Sequence, residues 1–315
     1  MWWPLLLSFV GFSLLIYGGD RVCAGASALA VRLGIDQFVI GMTIVAISTS
    51  APELITSLIA TTNHHPEIVA GNIIGSNLVN IGLAGGLVAL IKPFTITSRI
   101  IEKEMPFLLA VTCMFGICAI FFPIGFPIGI AFVLLNTFYL YYICKYDRDR
   151  RSNDPNHSQK VTLEIHFWKA FWIFLFGLVL LLLGAQIVID SSIDIARFLG
   201  WSDALIGFTV IAIGTSFPEI AISLVAAFRG YGAICTGNIV GSNIFNTLMI
   251  IGSCGMINVV PIDPQLCYFG IPALVFLTAL IWRFFTTKRE INRPEGGVLF
   301  VAFLLIFAIS IYRQL

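Results

Sequence analysis

A chain of 315 residues that is 58% hydrophobic and only 11% charged cannot hide that much apolar surface in a soluble fold, and a formal net charge of +1 offers no basic surface to a nucleic acid. Runs of roughly eighteen or more mostly apolar residues recur along it, which predicts an all-α, polytopic membrane protein. The seven cysteines are odd in number, sit mostly in apolar runs and form no CxxC pair, so neither a disulfide framework nor a zinc site is indicated.

Crossing the hydrocarbon layer takes about 20 helical residues. With breaks set at Pro, Gly and charged clusters, ten spans are expected, near 2–19, 37–62, 67–91, 105–122, 126–144, 167–189, 203–228, 232–258, 267–285 and 296–313. The first lacks the positive flank and small-residue cleavage site of a signal peptide, and Trp2 and Trp3 read as interfacial anchors of a retained span. Pro123, Gly125 and Pro127 mark a very short turn between the fourth and fifth spans. The one polar linker, 145–166, divides the chain into halves 1–144 and 167–315 of five spans each.

With the N-terminus outside, sixteen of the eighteen Lys and Arg residues fall on one side, leaving only Arg197 and Arg313 opposite. The positive-inside bias therefore predicts a cell (inner or plasma) membrane protein with both termini outside and the linker cytoplasmic. Five spans is an odd number, so the second half must cross the membrane upside down relative to the first. That is the pattern of two inverted-topology repeats, in which broken helices at the centre supply the ligands of a midplane site.

One stretch occurs twice. Residues 41–80 return as 207–246 at a constant offset of 166, and 19 of the 40 aligned positions are identical. Each copy places a carboxylate, several hydroxyls, amides and a proline inside an oily segment, a costly arrangement that calls for a function. Pro52 and Pro218 lack an N–H, so the spans carrying them should break at Thr-Ser-x-Pro-Glu and free backbone carbonyls around Ala46, Thr49, Ala212 and Thr215. Asn72, Ser76 and Asn80, like Asn238, Ser242 and Asn246, recur every four residues and form a polar strip on one helix face. Gly71 and Gly75, and Gly237 and Gly241, have the GxxxG spacing of close helix packing.

Glu53 and Glu219, with Thr, Ser, Asn and backbone oxygens, make a donor set free of sulfur and imidazole, which suits hard cations. Calcium accepts six to eight oxygens in flexible geometry and fits two facing carboxylates better than magnesium does; sodium can use the same neutral oxygens. A cation channel would need a continuous polar path rather than one buried constellation. An intramembrane hydrolase would need a nucleophile with its base, yet His64, His65, His157 and His166 all fall outside the spans, so no enzyme is expected. His64 and His65 read as a solvated turn, and Asp190, Asp194 and Asp203 as interfacial residues at span ends.

AISTSAPEL with GNIIGSNLVN, and AIGTSFPEI with GNIVGSNIFN, resemble the α-repeats of the calcium/cation antiporter superfamily, in its sodium/calcium exchanger branch of prokaryotic type. The resemblance covers essentially the whole chain and implies an antiporter exchanging calcium for sodium by alternating access. It implies that Glu53 and Glu219 coordinate calcium beside the carbonyls of Thr49 and Thr215. It further implies that Ala46, Ser50, Ser76, Ala212, Ser216 and Ser242 line flanking sodium sites, with Asn80 and Asn246 near the centre. The implied partners are calcium, sodium and membrane lipid, with no cofactor. Three positions depart from the family pattern. Ser48 replaces a common glycine. Gly75 replaces the glutamate of the calcium/proton branch, which is the alternative reading. Asn246 replaces a frequent aspartate, which argues against a potassium requirement.

Overall fold

The computed structural model describes residues 2–152, 166–201, 210, 212–287 and 289–314. Its helices are α1 (Trp2–Leu33), α2 (Gln37–Thr49), α3 (Ala51–Thr62), α4 (Glu67–Ile91), α5 (Ile100–Phe121), α6 (Phe126–Ser152), α7 (Phe167–Phe198), α8 (Phe217–Phe228), α9 (Gly232–Ile257), α10 (Leu266–Thr286) and α11 (Arg293–Gln314). Among the described residues, eight helices are long and apolar enough to cross a membrane, and nine if the bent pair α2 and α3 counts as one span. Most of the expected linker, Asp203 and His157 lie outside the described residues, as does the start of the span expected at 203–228. What is described of that span is a helical turn, Ala212–Gly214, followed by the twelve-residue α8.

Three spans run well past their expected ends, the fifth reaching Ser152 rather than 144. The first runs to Leu33 rather than 19, and the sixth to Phe198 rather than 189. Charge at Asp20 and Arg21 does not end α1, because Asp20 stays in the helix and is paired, with Arg21 at 3.2 Å and Arg229 at 2.6 Å. α1 and α7 pack against each other through glycine. A Cβ on Gly11 would lie 3.0 Å from the Gly184 carbonyl, one on Gly18 2.5 Å from the Leu181 nitrogen, and one on Gly25 2.6 Å from the Phe174 nitrogen. Partner numbers fall as α1 advances, so the first helices of the two halves run antiparallel.

Burial separates centre from periphery. In the most apolar window of α4, 78% of residues are buried, and in that of α9, 83%, against 17% in α11 and 22% in α1. The helices carrying the repeated Asn motif are therefore the core. The outer helices present Phe9, Phe121, Phe138, Trp172 and Phe176 outward, a surface suited to lipid. Two short strands, β1 (Phe94–Thr95) and β2 (Glu290–Ile291), pair antiparallel, Phe94 with Ile291. A separate bridge joins Ile124 to Val260. Shifted by the repeat offset, Phe94 becomes Val260 and Ile124 becomes Glu290, so both pairings link the same two places in the repeat.

Arg99, expected in a cytoplasmic loop, is largely shielded, with its side chain only 10% exposed. Its guanidinium meets Glu104 at 2.9 Å and Asp147 at 3.7 Å. Tyr139 donates to the other Glu104 oxygen, and Asp147 accepts the Asp36 backbone N–H at 2.8 Å. This cluster ties the start of α2 to α5 and α6.

Candidate cation site

Pro52 and Pro218 stand in the first turns of α3 and α8, and the chain breaks one step earlier, at Ser50 (φ −82°, ψ 8°) and Ser216 (φ −90°, ψ 6°). Proline tolerates a first helical turn, where its missing N–H costs nothing, so each motif restarts a helix rather than ending one. α2 and α3 meet at 43°. The Ala46 carbonyl is not freed by this break: it accepts from the Ser50 N–H at 3.0 Å and from the Thr49 hydroxyl at 3.1 Å. The side chain of Ala212 lies outside the described residues.

Glu53 and Glu219 both fall in the first turn of the restarted helix, where the positive end of the helix dipole favours a carboxylate. They are 0% and 1% exposed. Their partners cross between copies. The Ser50 hydroxyl donates to Glu219 Oε1 at 2.9 Å, and the Ser216 hydroxyl to Glu53 Oε1 at 3.5 Å. Ser76 sits beside Glu53 and Thr49 beside Glu219, neither in good hydrogen-bonding geometry with it.

Among the described residues, Glu53 Oε2, Glu219 Oε2, Ser76 Oγ, Ser242 Oγ, Thr215 Oγ1, Asn80 Oδ1 and Asn246 Oδ1 are buried and make no hydrogen bond within the protein. So many unpaired oxygens in a dry interior are costly unless a cation meets them, since an unmade bond costs about 1–3 kcal/mol per group. No group of three or more His, Cys, Asp and Glu side chains forms a metal cluster among the described residues, so two carboxylates and neutral oxygens are the donors on offer. That set is hard, oxygen-only and of moderate charge.

The expected Asn strip divides by role. Asn72 donates to Ser57 Oγ at 3.1 Å and Asn238 to Ser223 Oγ at 3.1 Å, equivalent bonds that brace the helices bearing the glutamates. Asn80 and Asn246 lie in widened, π-helical turns, Val79–Gly85 and Asn246–Ile250, which re-aim them relative to a regular helix. The glycine expectation holds in the second copy, where Cβ atoms on Gly237 and Gly241 would lie 2.5 Å from the Phe38 and Met42 carbonyls. The positions equivalent to Phe38 and Met42, residues 204 and 208, lie outside the described residues, so the packing of Gly71 and Gly75 is not described there. Reading the sequence for charge and hydroxyls missed Asn77, Asn243, Thr247, Ser57 and Ser223, all buried. Identity between copies at 77/243 and 57/223 was the signal that could have found four of them.

A helical membrane protein whose two homologous motifs exchange hydrogen bonds across a buried carboxylate pair has the build of a membrane transport protein. The chain belongs to the sodium/calcium exchanger protein family, whose profile matches residues 3–145 and 169–312. It is 35% identical over 302 residues to the putative antiporter CaxA of Alkalimonas amylolytica, covering 94% of each chain. It is 31% identical over 340 residues to the sodium/calcium exchanger MaX1 of Methanosarcina acetivorans, covering 96% of this chain and 97% of that one. Its fold matches the sodium-calcium exchanger NCX_Mj soaked with zero Na⁺ and Ca²⁺ at a TM-score of 0.85, with 30% identity over 97% of this chain and 98% of that one.

Proposed function

We propose that this chain is a secondary antiporter that exchanges calcium for sodium by alternating access around a site between Glu53 and Glu219. The observation that carries this reading is the reciprocal crossing of Ser50 to Glu219 and Ser216 to Glu53, with buried unpaired oxygens from both copies. Calcium is held by the two carboxylates beside the carbonyls of Thr49 and Thr215. Sodium is held by the hydroxyls of Ser50, Ser76, Ser216 and Ser242 in flanking sites lined by Ala46 and Ala212, and Asn80 and Asn246 lie between. Two ionised carboxylates facing one another in a low-dielectric interior need a countercharge. The site therefore closes and reorients only when loaded, which couples the two ions.

The chain is a pair of inverted five-span repeats in a cell membrane, with both termini outside. Support comes from the antiparallel packing of α1 on α7, the equivalent strand pairings and the basic-residue bias. The test is calcium-45 uptake into proteoliposomes under imposed sodium, potassium or proton gradients. A sodium gradient alone is expected to drive uptake, with no need for potassium. Uptake that saturates with no counter-ion, or that follows only a proton gradient, overturns the reading.

A further inference from the structure

We propose that Thr247 and Asn77 are positioning residues that hold Asn246 with its carbonyl oxygen turned to the cation site. This rests on the reading of that site as the calcium and sodium site given above. Each hydrogen bond in the buried chain of donors and acceptors around Asn246 has one possible direction. The Thr247 hydroxyl donates its single proton to the Asn243 backbone carbonyl at 2.8 Å, so its oxygen can only accept from any further partner. What it accepts is the Asn77 Nδ2–H, at 2.9 Å. The same Asn77 nitrogen lies 3.5 Å from the Asn243 carbonyl, so turning the amide over would set two acceptors against each other.

Asn77 Oδ1 must therefore face Asn246, and it accepts from Asn246 Nδ2 at 3.1 Å. With its nitrogen spent on Asn77, Asn246 leaves only its oxygen for the interior, and that Oδ1 is buried without a partner. An amide oxygen attracts a cation, whereas an amide NH₂ repels one.

The first half cannot build the same relay. Ile81 stands where the repeat offset would place Thr247. Asn243, the counterpart of Asn77, donates back to the Ile239 carbonyl at 2.7 Å. Neither the Oδ1 nor the Nδ2 of Asn80 is bonded within the protein. One central amide is thus fixed as an oxygen donor, and the other is left able to turn.

The experiment titrates purified protein in nanodiscs with calcium chloride and, separately, sodium chloride, read by calorimetry. It compares wild type, Thr247→Val, Thr247→Ser, Asn246→Asp and the double variant Asn246→Asp/Thr247→Val. Removing one buried hydrogen bond in the relay is expected to raise the concentration for half-saturation by calcium, sodium or both about fivefold in Thr247→Val. Thr247→Ser keeps the hydroxyl and is expected to match wild type. In the Asn246→Asp background the Val substitution is expected to change nothing, because a carboxylate presents oxygen whichever way it turns. The proposal is overturned if Thr247→Val binds both cations like wild type, if Ser is as damaging as Val, or if the Val defect persists in the double variant. Wild type that binds neither cation would instead remove the functional reading itself, a separately visible result.

Discussion

Glu53 and Glu219 each keep one oxygen bonded to a serine of the other copy and one oxygen unpaired. Glu53→Gln or Glu219→Gln preserves shape and one carbonyl oxygen but removes a unit of charge and bidentate binding. Each is expected to abolish sodium-driven calcium uptake while the protein still inserts and keeps its thermal stability in detergent, because a neutral side chain costs less in the membrane than a charged one. Near-normal calcium flux in both variants would show that these carboxylates are not the ion site. The serines differ: Ser50 reaches its glutamate at 2.9 Å and Ser216 only at 3.5 Å. A hydrogen bond to a charged group contributes about 1.5–3 kcal/mol, so Ser50→Ala is expected to weaken calcium binding more than Ser216→Ala in paired titrations. These residues were legible in the sequence because a carboxylate and a serine beside a proline, occurring twice in oily segments, have few bland explanations. Asn77 and Thr247 were not, since an amide in a helix shows its role only through the partners that the fold brings to it.

Elements were legible in kind and less so in length. The period and composition of the spans survive burial, but a charge ends a span only if no partner lies within reach. Asp20 finds Arg229, distant in sequence but near in the fold, so α1 continues. The widened turns at Asn80 and Asn246 leave no mark in composition, because an extra residue per turn changes direction rather than polarity. The glycine seam between α1 and α7 is testable at this scale. A Leu side chain at Gly18 would begin 2.5 Å from the backbone of α7. Overpacking of this kind costs about 1–3 kcal/mol, and Gly18→Leu is expected to lower the unfolding temperature in detergent. Gly34→Leu, at the open end beyond α1 with φ of +63°, is the comparison that separates steric packing from backbone strain. Equal stability of Gly18→Leu and wild type would mean that the two helices do not pack through this seam.

At the scale of the molecule the two copies differ most in where charge is concentrated. Arg99, Glu104 and Asp147 tie α2, α5 and α6 together, whereas the repeat offset places Gln265, Gly270 and Arg313 at those positions in the second half. A carrier with perfectly matched halves has two resting poses of equal free energy, because swapping the shapes of its halves turns one pose into the other. Under the alternating access proposed above, a pose that keeps this ion cluster intact would be the deeper well of a tilted pair, giving the carrier a preferred side on which to wait. Breaking a buried ion pair is strongly unfavourable, so on that reading Asp147→Asn is expected to shift the ratio of half-saturating calcium at the two membrane faces at least about tenfold. Right-side-out and inverted vesicles measure that ratio, and an unchanged ratio would mean that the cluster only holds the fold. On that reading, the energy stored in one corner of the protein would set which way the empty carrier leans before any ion arrives.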